Sequence, residues 1–371
     1  MTKSILFLLF LWSCTPVDGV QDISVISVDT SASITVELAI NKLVPLETNN
    51  ESVFGGDFKV NVVDGRIFVH DQSLTKNIFA FTSNGRFINK LSIGKGPNEI
   101  LEAYSCYYDN NSRQVYIYDG GTRLIKAFDF NLRYDFTPLI NKNIIYHHFH
   151  RIISNKWLVQ ANYTNPPLQD VTASYVLLDS TFQNIERKYL PFNLEFQYIG
   201  KKDPIFSDSC DQNLFSNIMD NNLYTIDSGY NIRAKYKIEF GNYNLTSDDL
   251  DQGLMHVREL WLKGDRKTFI DHVKESNQYV GFSYVYGKRI EFCIFSKISG
   301  RIINSEHLDN VDYIYGELVH LSDDYFVLAA EPNNVIEYLR RSAPDDDRFK
   351  NLNVNEGDNP VLVYYRLKDV L

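Results

Sequence analysis

Four short runs read as strands, residues 58–63, 66–70, 77–81 and 86–93: apolar and polar residues alternate in the first, and apolar residues run together in the next two. That alternation sends successive side chains to opposite faces of a strand. Asp64-Gly65 and Asn84-Gly85 fall between the runs. Both dipeptides favour the positive φ angles of a two-residue type I′ hairpin turn. Gly94-Lys95-Gly96-Pro97 then ends the unit. Four antiparallel strands in about 40 residues is the repeat of a β-propeller blade, and a single blade cannot bury both of its faces. The unit therefore has to recur.

It recurs with less regular spacing at about residues 104–139, 149–192, 213–240, 279–307 and 311–367, with turn signals such as Asp109-Asn110-Asn111, Asp220-Asn221-Asn222 and Ser299-Gly300. Phe81 and Phe128 fall at equivalent places in the first two units. Residues 34–46 alternate like a strand but have no hairpin partner beside them, which predicts a clasp that completes the last blade and closes the ring. The rhythm breaks between 241 and 276. Thr246-Ser247-Asp248-Asp249 reads as a helix start, and Leu250, Leu254, Val257 and Trp261 follow at helical spacing. This predicts a helical insertion at about 246–275, lying across the rim or one face. Residues 331–359 read as a polar excursion within the last unit. The expected fold is all-β: a six-bladed propeller over residues 34–371, with an N-terminal clasp strand and a small helical insertion.

The N-terminus adds an address. Lys3 precedes a short apolar run, residues 5–12, and Leu11-Trp12-Ser13-Cys14 resembles a bacterial lipobox. Residues 1–13 are thus expected to be a lipoprotein signal peptide and Cys14 the lipidated residue, with 14–33 a flexible tether. The apolar run is too short to span a bilayer, so the membrane is met only through the lipid anchor. Thr15, rather than Asp, at the following position favours the outer membrane. The formal charge is −10, the wrong sign for a nucleic-acid partner. Cys106, Cys210 and Cys293 lie far apart and show no metal-ligand spacing. They read as small buried strand residues.

Three further stretches sharpen the picture: Leu43-Val44-Pro45-Leu46-Glu47-Thr48, Asp64-Gly65-Arg66-Ile67-Phe68-Val69, and Ile93-Gly94-Lys95-Gly96-Pro97-Asn98-Glu99. They resemble the PLET strand, the DG-I-Y-V strand pair and the G-x-GPGE blade exit of six-bladed propeller lipoproteins of Bacteroidetes, distantly similar to NHL-type propellers. Asn98 departs from that pattern, where the family has a second Gly. The resemblance implies the fold and carries no set of catalytic residues.

Candidate chemistry is sparse. Gly94-Lys95-Gly96-Pro97 lacks P-loop spacing and reads as a connection between blades. His147, His148 and His150 form the one histidine cluster in the sequence. His148 and His150, at i and i+2 on a strand, would share a face and are the candidate metal ligands, for Zn or Ca. Asp71, Asp119 and Asp227 each follow the second strand of a unit, as turn caps or as a carboxylate ring able to hold Ca²⁺. The expected function is a non-enzymatic binding or scaffolding lipoprotein for a protein, peptide or glycan partner, with no cofactor. The alternative is a metal-dependent hydrolase or lyase acting on sugars or lactones at the central channel.

Overall fold

The computed structural model describes residues 23–28, 38–138, 140, 146, 148–152, 155–160, 173–191, 214–217, 220–308, 313–343, 346–350 and 352–367. Two strands come from the N-terminal stretch, β1 (Ser24–Ser27) and β2 (Ile40–Pro45). Blade one is β3 (Phe58–Val63), β4 (Arg66–Asp71), β5 (Ile78–Thr82) and β6 (Phe87–Lys90). Blade two is β7 (Ala103–Asp109), β8 (Gln114–Asp119), β9 (Leu124–Asp129) and β10 (Tyr134–Phe136). Blade three is β11 (Phe149–Arg151), β12 (Trp157–Gln160), β13 (Ala173–Leu178) and β14 (Ile185–Pro191). Blade four takes β15 (Phe215–Ser216), β16 (Asn222–Ile226) and β17 (Ile232–Glu239) and adds β1 as its outermost strand. Blade five is β18 (Lys267–Glu275), β19 (Tyr279–Tyr286), β20 (Arg289–Ser296) and β21 (Ile302–Asn304). Blade six is β22 (Glu317–Leu321), β23 (Tyr325–Ala330) and β24 (Val361–Arg366), with β2 outermost. The fold is a six-bladed β-propeller, as the repeat predicted.

The core lies between blades, and six apolar clusters close the circle. Phe68 and Ala80 of blade one meet Val115, Ile117 and Phe128 of blade two. Tyr116 and Tyr118 meet Phe149 and Trp157, and Tyr175 and Leu177 meet Phe215 and Ile226. Leu223 and Ile238 meet Val280 and Phe282, and Phe292 and Ile294 meet Phe326 and Leu328. Val327 and Leu362 return to Val69, Phe79 and Phe81 of blade one. Each fully buried side chain of this size contributes about 1.5–3 kcal/mol of transfer free energy. The aromatic surplus in the sequence has this use: wedge-shaped gaps between twisted sheets are filled by flat rings, such as the Trp157–Phe182 stack at 4.1 Å.

The clasp works as expected, and its motif residues make the joint. Strand β2 pairs antiparallel with β24, so the outer strand of blade six comes from the start of the chain. Beyond it Leu46 N–H donates to the Pro360 carbonyl at 3.1 Å, and Glu47 N–H to the Gly85 carbonyl at 2.8 Å. The Glu47 carboxylate accepts from Phe87 N–H at 2.9 Å. Asn359 Nδ2 donates to the carbonyls of Glu47 and Ser52, each at 2.9 Å. One short stretch thus ties blade six to the outer strand of blade one.

Blade four departs from the pattern. Strand β1 lies inside the stretch expected to be tether, and it pairs parallel with β17, Ser24 opposite Tyr236 through Ser27 opposite Glu239. Ile26 and Val28 are buried against Leu214 and Ile238, which is why these residues are fixed there. Because β1 fills the outer place, no fourth strand brings the chain back after β17. Instead α1 (Ser247–Asp251) and α2 (Leu254–Lys263) make the return to β18. Thr246 and Asp249 form a reciprocal capping box. Leu250, Leu254 and Val257 cluster on Phe269, and the Trp261 ring meets it edge-on at 4.5 Å.

The helical insertion is shorter than the expected 246–275, because residues 267–275 are the innermost strand of blade five. Two bulges hide that strand's alternation, with Phe269 at φ 56° and His272 at φ 48°. Two other expectations change. The Asn84-Gly85 hairpin is not type I′, since only Gly85 of the pair has positive φ, and Thr82 N–H pairs with the Arg86 carbonyl across a three-residue loop. The polar excursion holds an amphipathic helix, α3 (Pro332–Ser342), whose buried Val335 joins the cluster between blades five and six.

Glycines at the two blade-one turns give a test of the closure. At Gly65 (φ +70°) a Cβ would meet nothing within 4 Å, whereas at Gly85 (φ +81°) it would stand 2.0 Å from the Pro45 carbonyl oxygen. Gly65→Ala is expected to cost about 1 kcal/mol of left-handed strain, and Gly85→Ala about 3 kcal/mol or more. Urea unfolding of the two variants measures the difference. Equal losses would mean that the clasp does not press on Gly85.

Candidate functional site

In an antiparallel meander the loops after the second and fourth strands share one face of the ring, here called the connection face. The single-residue signals in the sequence cluster there, and most of them hold loops. Asp71 accepts N–H bonds from Ser73, Leu74, Thr75 and Gly55 at 2.7–3.2 Å. Asp119 accepts from Leu101, Glu102 and Gly121, tying blade two to the incoming connection. Asp227 accepts from Gly229 and Asn231. These are turn caps. Burial opposes ionisation of Asp71, but the hydroxyl and N–H of Thr75 with the N–H groups of Leu74 and Ser73 win and hold its carboxyl at about 2.

The glycine-rich exit of blade one is explained in the same way. Gly96 N–H donates to the Glu99 carboxylate at 2.7 Å. A Cβ on Gly94 would stand 2.1 Å from that carboxylate. The glycines make room for an internal acid, and the Lys126 ammonium donates to the Glu99 carbonyl.

Innermost strands of neighbouring blades touch near the axis (β3 with β22, β7 with β11, β18 with β22), and they carry residues far apart in sequence: Lys59 on β3, Cys106 on β7, His150 on β11, Asp271 and His272 on β18, Glu317 and His320 on β22. Among the described residues no third ligand joins the expected metal pair there. His150 is buried edge-on against Tyr107, ring centroids 4.7 Å apart, while His148 is half-buried. Among the described residues no group of three or more His, Cys, Asp or Glu is placed to hold a metal ion. Burial, with the Lys274 ammonium, pulls the His320 imidazole down to about 4 and keeps it neutral at pH 7. His147, Cys14 and Cys210 lie outside the described residues.

A second feature was not read from the sequence. A cleft of about 700 Å³ opens between residues 46–57 and the outer half of blade one. Asn50, Glu51 and Val53 line it from the clasp loop, and Thr75, Asn77, Phe79, Phe87 and Lys90 from blade one. The size suits a small ligand or a segment of a larger one. Lys90 bridges to Glu51 at 2.9 Å. Val53, Leu74, Ile93, Leu101 and Tyr104 stand 37–70% exposed on the same face. Sequence spacing could not assemble this site, because its walls come from the clasp loop and from two loops of blade one.

The family described as "Domain of unknown function (DUF4934)" matches residues 39–366. The chain belongs to the DUF4934 family. No curated protein matches it. Among solved structures it resembles a Bacteroides fragilis NCTC 9343 protein whose name marks it, by inference, as exported. The two share 18% identity at a TM-score of 0.74, over 93% of this chain and 100% of that one. A DUF4221 family member from Bacteroides vulgatus ATCC 8482 follows at 11% identity and TM-score 0.48, covering 89% and 98%. Virginiamycin B lyase from Staphylococcus aureus aligns at 10% identity and TM-score 0.39, covering 72% and 74%. The first likeness shows the fold that this DUF4934 chain shares.

The Asp71 cap carries a pH test for the DUF4934 propeller. Its folded pKa of about 2 lies below the 3.8 of an unperturbed aspartate. The stabilisation is therefore complete above about pH 5 and fades as pH falls through 4 towards 2, and it amounts to about 2 kcal/mol. Asp71→Asn should lose that amount at pH 7 in urea unfolding and approach the wild type near pH 2. A gap that is constant with pH would show that the carboxylate charge is not what holds the loop.

Proposed function

We propose that this chain is an exported, lipid-anchored envelope protein whose propeller is a non-enzymatic binding platform, taking a polar glycan or peptide segment of a partner in the blade-one cleft. The cleft carries this reading. The exposed Asn50 amide offers both a donor and an acceptor. The Phe87 ring offers a flat apolar surface of the kind that sugars and peptide side chains pack on. The exposed apolar rim around it gives a larger partner somewhere to rest.

Export and lipidation are supported by the lipobox-like Leu11-Trp12-Ser13-Cys14, and export alone by the name of the Bacteroides fragilis neighbour. With Cys14 lipidated and Thr15 following it, the outer membrane is the favoured site. Strand β1 then limits the tether. The ten steps from Cys14 to Ser24 span at most about 35 Å, so the outer edge of blade four would ride close to the membrane. The acidic net charge keeps the body from adhering to anionic lipid and favours cationic partners.

The test is titration calorimetry of the full chain against panels of defined oligosaccharides and of peptides. Any ligand found is then retested with Asn50→Ala combined with Lys90→Ala. We expect affinity to fall at least tenfold while thermal stability stays within the small range of surface substitutions, about 0.5 kcal/mol. Ile298→Ala, in the exposed turn on the opposite face, should change nothing. Binding that ignores the cleft pair and responds to Ile298 would sink the reading.

A further inference from the structure

Between blades one and two, beside the axis, lies a thiol–imidazole pair that neither the fold nor the cleft explains. His70 is 2% exposed on β4. Its Nε2 lies 2.7 Å from the Ala103 carbonyl oxygen. A carbonyl only accepts, so Nε2 carries the hydrogen and the lone pair sits on Nδ1. Nδ1 in turn lies 3.8 Å from Cys106 Sγ. The Cys106 thiol donates to the Tyr108 hydroxyl at 3.3 Å, and the Tyr108 ring is held by stacking on Phe68 at 4.7 Å. Lys59, opposite His70 in the β3–β4 register, shares the His70 face and adds a positive charge. Cys106 itself is only half-buried, on the innermost strand of blade two.

We propose that Cys106 is a nucleophilic thiol, activated by His70, and that it takes small soft electrophiles reaching it from the axis. The imidazole is oriented by a backbone carbonyl, a proton acceptor faces the sulfur, and the Tyr108 hydroxyl, which accepts from the thiol, can turn its O–H to the sulfur once the proton has left. These are the parts a reactive cysteine needs. In the step, His70 Nδ1 takes the thiol proton and the sulfur pair attacks the electrophilic carbon. The S–C bond forms as the carbon–leaving-group bond breaks, and the leaving group departs with its electron pair. The imidazolium then returns its proton to solvent.

Iodoacetamide is the probe, with iodide as the leaving group. The folded full chain is labelled at pH 6.5 and 8.5, and each cysteine is followed by peptide mass spectrometry. Cys293, fully buried with its thiol pushed up by that burial, is the internal inert control. An ordinary thiol slows about 50-fold between the two pH values. Cys106 should slow less than about 5-fold. His70→Gln keeps a donor for the Ala103 carbonyl and removes the base, and it should restore the ordinary slowing. Should that variant not fold, Tyr108→Phe keeps the ring stack and should cut the pH 6.5 rate several-fold. Wild type minus Cys106→Ser should also show thiolate absorbance near 240 nm at pH 6.5. A Cys106 rate that follows the ordinary thiol profile, with no thiolate absorbance at pH 6.5, overturns the proposal.

Discussion

The propeller depends on one joint. Five of its six interfaces are made by blades that follow one another along the chain. The sixth, between blades six and one, joins sequence ends more than 300 residues apart, as the Asn359 bonds to Glu47 and Ser52 show. Bringing such distant segments together costs loop-closure entropy, though the cost grows only with the logarithm of length. It is offset by the β2–β24 ladder, by burial of Val44 and Leu46 against Val69 and Phe81, and by the carboxylate of Glu47 on Phe87 N–H. Without the joint, blades one and six would each expose an apolar face and a bare strand edge, an aggregation hazard. Arg348 adds a strap from the far side, donating to the Ile40 carbonyl at 2.9 Å.

The same N-terminal segment makes a second commitment at blade four, and that choice shapes the chain nearby. A parallel partner in the outer place leaves β17 ending on the face opposite the connection face, where β18 must begin. A crossing of that kind needs roughly the length of a strand, and α1 with α2 provides it. The helices rest on Phe269, a residue whose positive φ belongs to the bulge in β18. Lys267, buried at the start of that strand, pairs with Glu306 at 2.9 Å and lies among the rings of Tyr243 and Tyr286 at 4.9 and 5.0 Å. A charge so placed has to be paired to be tolerated, so this corner is held by specific partners as well as by apolar packing.

The sequence disclosed the parts of the fold whose signals are local. The short strand-like runs between 58 and 93, the Asp64-Gly65 turn, with φ of 42° and 70°, and the apolar face at Leu254, Val257 and Trp261 all depend on neighbours within one element. Strands lost from view were those whose pattern is overridden by tertiary context. The bulges at Phe269 and His272 broke the alternation of β18, and β1 is only four residues long with a partner more than 200 positions away. Helix α3 was hidden by its polar composition, although Pro332 at its start and Val335, Tyr338 and Leu339 at helical spacing were legible signals. Neither the cleft nor the Cys106–His70 contact was legible, because each is assembled from several strands and loops that only the ring brings together.

This division has a physical reason that bears on function. The conspicuous residues, Glu47, Asp71, Asp119, Gly94, Gly96 and Glu99, are consumed in backbone hydrogen bonds that fix the loops. A carboxylate whose oxygens already accept several N–H groups has little left to offer a ligand. A propeller therefore spends its recurring motif on holding each connection in place, and recognition falls to the side chains that the motif leaves uncommitted. Those side chains differ from blade to blade. That is why the repeat makes the architecture readable while the chemistry has to be sought in the one cleft wall, or the one strand pair, where a blade differs from its neighbours.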